Sequence, residues 1–275
     1  MFFPLLIAVT IPLSPAQEQE STWSNTAHFS WVATSGNSDA QTVGFQDKLT
    51  KAWERHELTV EANAVRSESV TGGRSAEGTR ENFTVMEPPR ETSAENYYLR
   101  GKLDGKISGR SYWTTSIGWE RNRFSGIENR YSYSGGLGTR WFDRERLQFR
   151  TEYAATFTDQ EDVAEAPGVD GTYSGFRLTS NFRIGIGEAM SYSNIVRLDG
   201  NLEETDDLRA EITNSFSVKM TGKTALEVSL RVLFDNQPAF EKIPLFDVLG
   251  VQTGSVFVQL DEVDTIFTTS LVVNF

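Results

Sequence analysis

Bulky apolar and polar residues alternate along this chain with a period of two. Counting back from Phe275, Val273, Leu271, Thr269, Phe267 and Thr265 share one phase, and Asn274, Ser270, Thr268 and Asp264 fall on the other. Such alternation makes a strand with two unlike faces. It recurs near residues 23–33, 42–50, 57–64, 96–103, 113–119, 131–141, 147–157, 176–184, 190–198, 210–218 and 226–234, which with the C-terminal stretch predicts twelve strands. The ninth is the weakest, because Ile195 interrupts its polar phase. The 239–261 stretch leaves room for a further hairpin, so counts of ten or fourteen stay open.

Strand length separates two architectures. A soluble sandwich uses strands of about 5–6 residues, whereas a tilted strand crossing a bilayer needs about 9–11. The alternation here persists over roughly 9–12 residues per segment, the membrane figure. Connections agree. Short ones fall near 53–56, 108–110, 143–146, 185–188 and 221–223, and alternate with mostly longer ones at 35–40, 69–92, 122–130, 159–172, 200–207 and 236–261. Pro88, Pro89, Pro238 and Pro244 lie in the long connections, where no ladder hydrogen bond is lost. The expected fold is all-β: a 12-stranded, up-and-down antiparallel transmembrane barrel over residues 22–275. Its long outer loops lie at about 69–92, 159–172 and 236–261.

Trp23, Trp31, Trp113, Trp119 and Trp141 sit on the apolar phase, most near strand ends, as an interfacial aromatic girdle requires. The other phase is charged. It carries Arg100, Glu120, Arg140, Arg150 and Glu152, and further on Arg177, Arg183, Arg197, Glu211 and Arg231. These ten residues are expected to line the lumen. An apolar ligand cavity is thereby excluded, and two states of the interior remain: ion-paired and shut, or a narrow polar passage in which arginine favours small anions.

Composition narrows the picture further. The 275-residue chain has a formal charge of −12, which argues against nucleic acid, and no cysteine, which excludes disulfides and thiolate metal sites. After the first twenty residues no apolar run reaches the roughly 18 needed for a membrane helix. Residues 1–16, "MFFPLLIAVTIPLSPA", read as a signal peptide cleaved after Ala16, followed by a short segment at 17–21.

Candidate chemistry is sparse. His28 lies on the inward phase of the first strand with serines nearby, a remote basis for an outer-membrane hydrolase; a solvated lumen histidine is the plainer reading. No catalytic residue, cofactor or nucleotide motif is assigned. Glu203, Glu204, Asp206 and Asp207 form an acidic run that is a weak candidate for a hard cation, with a solvated loop as the simpler account.

"TSGNSD" (34–39), "ERNRFSGIENR" (120–130), "GGLG" (135–138), "LEETDDLR" (202–209), "RVLFDNQP" (231–238) and the terminal "VVNF" occur in this order. In these motifs the chain resembles the salt-induced outer-membrane protein family, a bacterial domain of unknown function, over about residues 22–275. That resemblance implies a Gram-negative outer-membrane barrel in contact with lipid and lipopolysaccharide, and a link to salt stress. It also implies that Phe275 is the signal read by the barrel-assembly machinery. The family supplies no catalytic residues to carry over. The expected function is therefore a non-enzymatic, porin-like channel or envelope protein passing small ions or solutes. The alternative is a closed barrel that binds cations or partners through its acidic outer loops.

Overall fold

A computed structural model describes residues 22–34, 40–70, 75–78, 83–86, 90–164, 171–246 and 251–274. The expected signal peptide at 1–16, the 17–21 segment and Phe275 lie outside the described residues. The strands are β1 (Thr22–Thr34), β2 (Ala40–Ala52), β3 (His56–Val70), β4 (Ser75–Gly78), β5 (Phe83–Met86), β6 (Arg90–Lys106), β7 (Ser111–Asn122) and β8 (Ile127–Arg144). They continue with β9 (Leu147–Asp162), β10 (Thr172–Ile186), β11 (Met190–Asn201), β12 (Leu208–Lys219), β13 (Thr224–Asp235), β14 (Phe240–Phe246), β15 (Gln252–Gln259) and β16 (Val263–Asn274).

Twelve of these close into an antiparallel barrel in the order β1-β16-β13-β12-β11-β10-β9-β8-β7-β6-β3-β2. The alternating segments account for all twelve, because a one-residue slip would turn every charged side chain onto the apolar face. The remaining four form two small hairpins outside the wall, β4-β5 and β14-β15. The 239–261 stretch thus does carry a hairpin, but one that leaves the barrel count at twelve. Two boundaries differ from expectation. β3 and β6 run on to Val70 and from Arg90, because extended pairing continues beyond the alternating part. The 122–130 connection shrinks to a 3-10 turn at Arg123–Ser125 plus Gly126, whose φ of 72° suits glycine.

The outward phase is apolar: Ile117, Leu137, Tyr153 and Phe267 are 56%, 59%, 56% and 68% exposed. So many large apolar side chains on one continuous outer surface are what a bilayer-facing wall presents. Gly138 faces inward, where a Cβ would come within 2.2 Å of the Tyr112 ring. The "GGLG" stretch thus makes room for a tyrosine that is 0% exposed.

The wall has one short seam. Among the described residues β1 and β16 pair at four positions, from Thr26↔Asn274 to Phe29↔Leu271, whereas β13 and β16 pair at eleven. Beyond Phe29 the described part of β1 pairs with β2 and not with β16.

Candidate functional site: a divided, charged lumen

Nine of the ten residues expected in the lumen line its two cavities, and Glu152 is buried, bonded to Tyr112 and Lys102. Seven of the nine (Arg100, Arg140, Arg150, Arg183, Arg197, Glu211 and Arg231) line one cavity of about 1200 Å³. This vestibule opens toward the short-turn rim, whose residues Trp53–Glu57, Asp143, Glu145, Arg146 and Gly187–Ala189 form part of its lining. A second cavity of about 100 Å³ lies toward the long-connection rim and is lined by Glu120, Arg177, Asp199, Arg209 and Asp264 among others. Arg100, Arg197, Glu211 and Arg231 line both. The cavities therefore meet at this layer, and the free volume falls about twelvefold across it.

Sequence distance hides how the layer is held. Register brings Arg197 of β11 opposite Glu211 of β12, and the guanidinium Nη1 donates to Oε2 at 2.7 Å. Arg231 of β13 reaches the other oxygen of the same carboxylate, at 2.8 Å. Beside them Arg177 donates to Asp199 at 2.6 Å. Among the described residues Arg100 is within ion-pair distance of no carboxylate, and it lies over the Tyr98 ring, 4.8 Å from its centroid. One carboxylate shared by two guanidinium groups in a narrow, partly dehydrated space is strongly held, since removing it leaves two cations uncompensated.

A second cluster stiffens the wall. Tyr112 donates to Glu152 at 2.7 Å, Lys102 bonds the same carboxylate, and Lys102 also reaches Asp104 at 3.0 Å. The Arg140 guanidinium lies over the Tyr112 ring, 4.7 Å from its centroid. These residues are buried against the strands, which leaves the vestibule open in front of them.

The long-connection mouth is capped. Ser125 in the β7–β8 turn donates to Asp264 at the start of β16 at 2.7 Å. A Cβ at Gly126 would meet Ala239 at 2.6 Å and Leu260 at 2.9 Å, so both ends of the β14-β15 excursion press on that turn. On the same rim Arg123 donates to Glu128 at 2.8 Å, and Arg121 reaches the other oxygen of that carboxylate at 2.7 Å.

Charge is distributed unevenly. Eleven Lys and Arg against nine Asp and Glu line the vestibule, in a chain whose net charge is −12. Six Arg against seven acids line the outer cavity, where Asp235, Asp261, Glu262 and Asp264 cluster. An excess of basic over acidic groups is thus found in the vestibule and not in the outer cavity.

The other candidates are placed as follows. His28 Nδ1 lies 3.4 Å from Glu227, and among the described residues no serine hydroxyl is hydrogen-bonded to it. The acidic run does not converge: Glu203 accepts from the Ser174 amide, and Asp207 accepts from Asn201 and faces Arg209. Among the described residues no group of three His, Asp or Glu is arranged to hold a metal. Trp23, Trp113 and Trp141 ring the short-turn side, and Trp119 lies higher, donating to Asn129 at 3.1 Å. Trp31 pairs with Val43 through the backbone, and its side chain lies outside the described set. Trp53 joins the girdle through Lys51, whose ammonium sits 4.6 Å from the Trp23 ring and 5.0 Å from that of Trp53.

Fold and interior together define a membrane-type β-barrel with an ion-paired, divided lumen. The chain belongs to the family described as "Protein of unknown function, DUF481", whose model matches residues 27–275. A search of curated proteins found no match. Among solved structures the chain is similar to a KdgM porin in complex with disordered oligogalacturonate, at 7% identity and a TM-score of 0.44, covering 92% of this chain and 99% of that one. It is also similar to the translocator domain of the autotransporter NalP from Neisseria meningitidis (10%, 0.42, covering 94% and 90%). A third is an anion-selective porin from Comamonas acidovorans (10%, 0.39, covering 93% and 99%). At these values none of the three speaks to what this chain carries or binds.

Proposed function

We propose that this protein is an outer-membrane barrel that admits small ions and solutes through a narrow passage restricted at Arg197–Glu211–Arg231. The observation that carries the reading is the meeting of two cavities at that one layer. A barrel built only for rigidity gains nothing from a vestibule of this size leading to a charged constriction. Strand number fits: twelve strands make a lumen wider than eight, which side chains fill, and narrower than a porin's. On this reading residues 1–16 direct export, Phe275 is read by the assembly machinery, and the apolar face meets lipid and lipopolysaccharide. The short turns and the vestibule are periplasmic, and the capped mouth is external. No catalysis is assigned.

The test is single-channel recording of the protein in a planar bilayer across a salt gradient. Discrete steps with a reversal potential on the anion side are expected from the vestibule's charge. An inserted but silent barrel supports the second reading, a closed structural barrel whose shared Glu211 pairs and capped mouth act as a plug.

A further inference from the structure

Arg140 of β8 and Arg150 of β9 are direct cross-strand partners. Like charges in that relationship destabilise a sheet unless something lies between them. Arg183 of β10 stands one row from Asn181, which is Arg150's partner on the other side, so three adjacent strands bring three guanidinium groups to one patch. All three line the vestibule, together with Asn181 and Gln148.

Carboxylates balance the patch only in part: Asp104 and Glu152 lie near enough to act on Arg150 but both are bonded to Lys102. Glu57 lies 3.9 Å from Arg150, at the limit of an ion pair. Glu152 is already held by Lys102 and Tyr112. Arg140 contacts the Tyr112 ring face, which leaves its in-plane N–H groups toward the cavity. Arg183 makes no hydrogen bond, ion pair or ring contact among the described residues. The wall is also locally reshaped, because the β8–β9 register shifts between Arg140 and Phe142 with Trp141 as the extra residue. A bulge of this kind re-aims the side chain beside it.

We infer that Arg140, Arg150 and Arg183 form a binding site in the vestibule for a small solute bearing a phosphate-type oxyanion. Planar guanidinium forks on neighbouring strands match such a group, each donating paired N–H groups to its oxygens. The Asn181 amide supplies a further donor. Because the patch is on the lumen wall, the anion arrives as a dissolved solute and not as a lipid headgroup. The inference deepens the passage reading by naming a solute chemistry, and it requires only that the vestibule be open to solution.

Calorimetric titration of the full chain in detergent micelles, with inorganic pyrophosphate as the probe at low salt, tests this. Saturable 1:1 binding is expected, with Arg183→Gln weakening it about tenfold, the loss of one charge-assisted contact. Arg183 has no partner among the described residues, so its variant is expected to fold as the parent does. Lys219→Gln, elsewhere in the same cavity, is the control and should change affinity by less than about twofold. Absence of saturable binding, or equal losses in both variants, would overturn the site, the second result by showing a diffuse field. Binding by a barrel that carries no current would keep the site and remove the passage; current without saturable binding would do the reverse.

Discussion

Ser125 and Asp264 are joined by a 2.7 Å hydrogen bond although 139 residues separate them. Asp264 is the second residue of β16, which lies six strands from β8 in either direction around the barrel, so this contact spans the mouth. With Gly126 wedged against Ala239 and Leu260, it makes the outer end a lid held by few bonds. Ser125→Ala removes one of them, a loss of about 1 kcal/mol. Longer or more frequent open events in single-channel traces are the expected outcome, with melting temperature nearly unchanged.

The seam predicts where the wall will come apart. Because the chain has no cysteine, paired cysteines can be introduced on a clean background. Ala27→Cys with Val273→Cys, a paired position, should cross-link readily. Val32→Cys with Thr268→Cys would cross-link equally if the ladder continued; the account predicts that it does not.

Leu137 separates a lipid-facing wall from a solvent-facing one. It is 59% exposed at the middle of β8. Arginine there should cost about 2–4 kcal/mol in unfolding from lipid vesicles. Ser215→Arg, on the cavity wall, should cost far less.

Gly138 lies beneath Tyr112. A methyl group there would sit 2.2 Å from the ring, so Gly138→Ala must displace a side chain that also holds Glu152. Tyr112→Phe removes the hydrogen bond alone and should cost about 1 kcal/mol. In denaturant unfolding Gly138→Ala should cost more, about 1–3 kcal/mol. The reverse ranking would show that the ring is free to move.

The wall was legible in the sequence because period-two alternation over long segments has only one solution once one face is apolar and the other charged. The interior was legible as a list and not as an arrangement. Which carboxylate Arg197 and Arg231 share, or that Arg140 faces Arg150, depends on register, which alternation does not specify. The hairpin β4-β5 was hidden, and β14-β15 was legible only as room for a hairpin in 239–261, for another reason. They are short, and Pro244 interrupts one strand, so their pattern does not rise above that of a loop. The cap rests on contacts between distant connections, which leave no local trace.

The most direct test of the divided lumen is the single-channel conductance and reversal potential of Glu211→Gln beside the parent protein. Glu211 neutralises both Arg197 and Arg231, so its loss should free two guanidinium groups at the constriction. The account predicts altered unitary conductance and a reversal potential displaced further toward the anion side. Conductance and selectivity identical to the parent's, in a variant shown to be inserted, would contradict it and move the barrier elsewhere in the barrel.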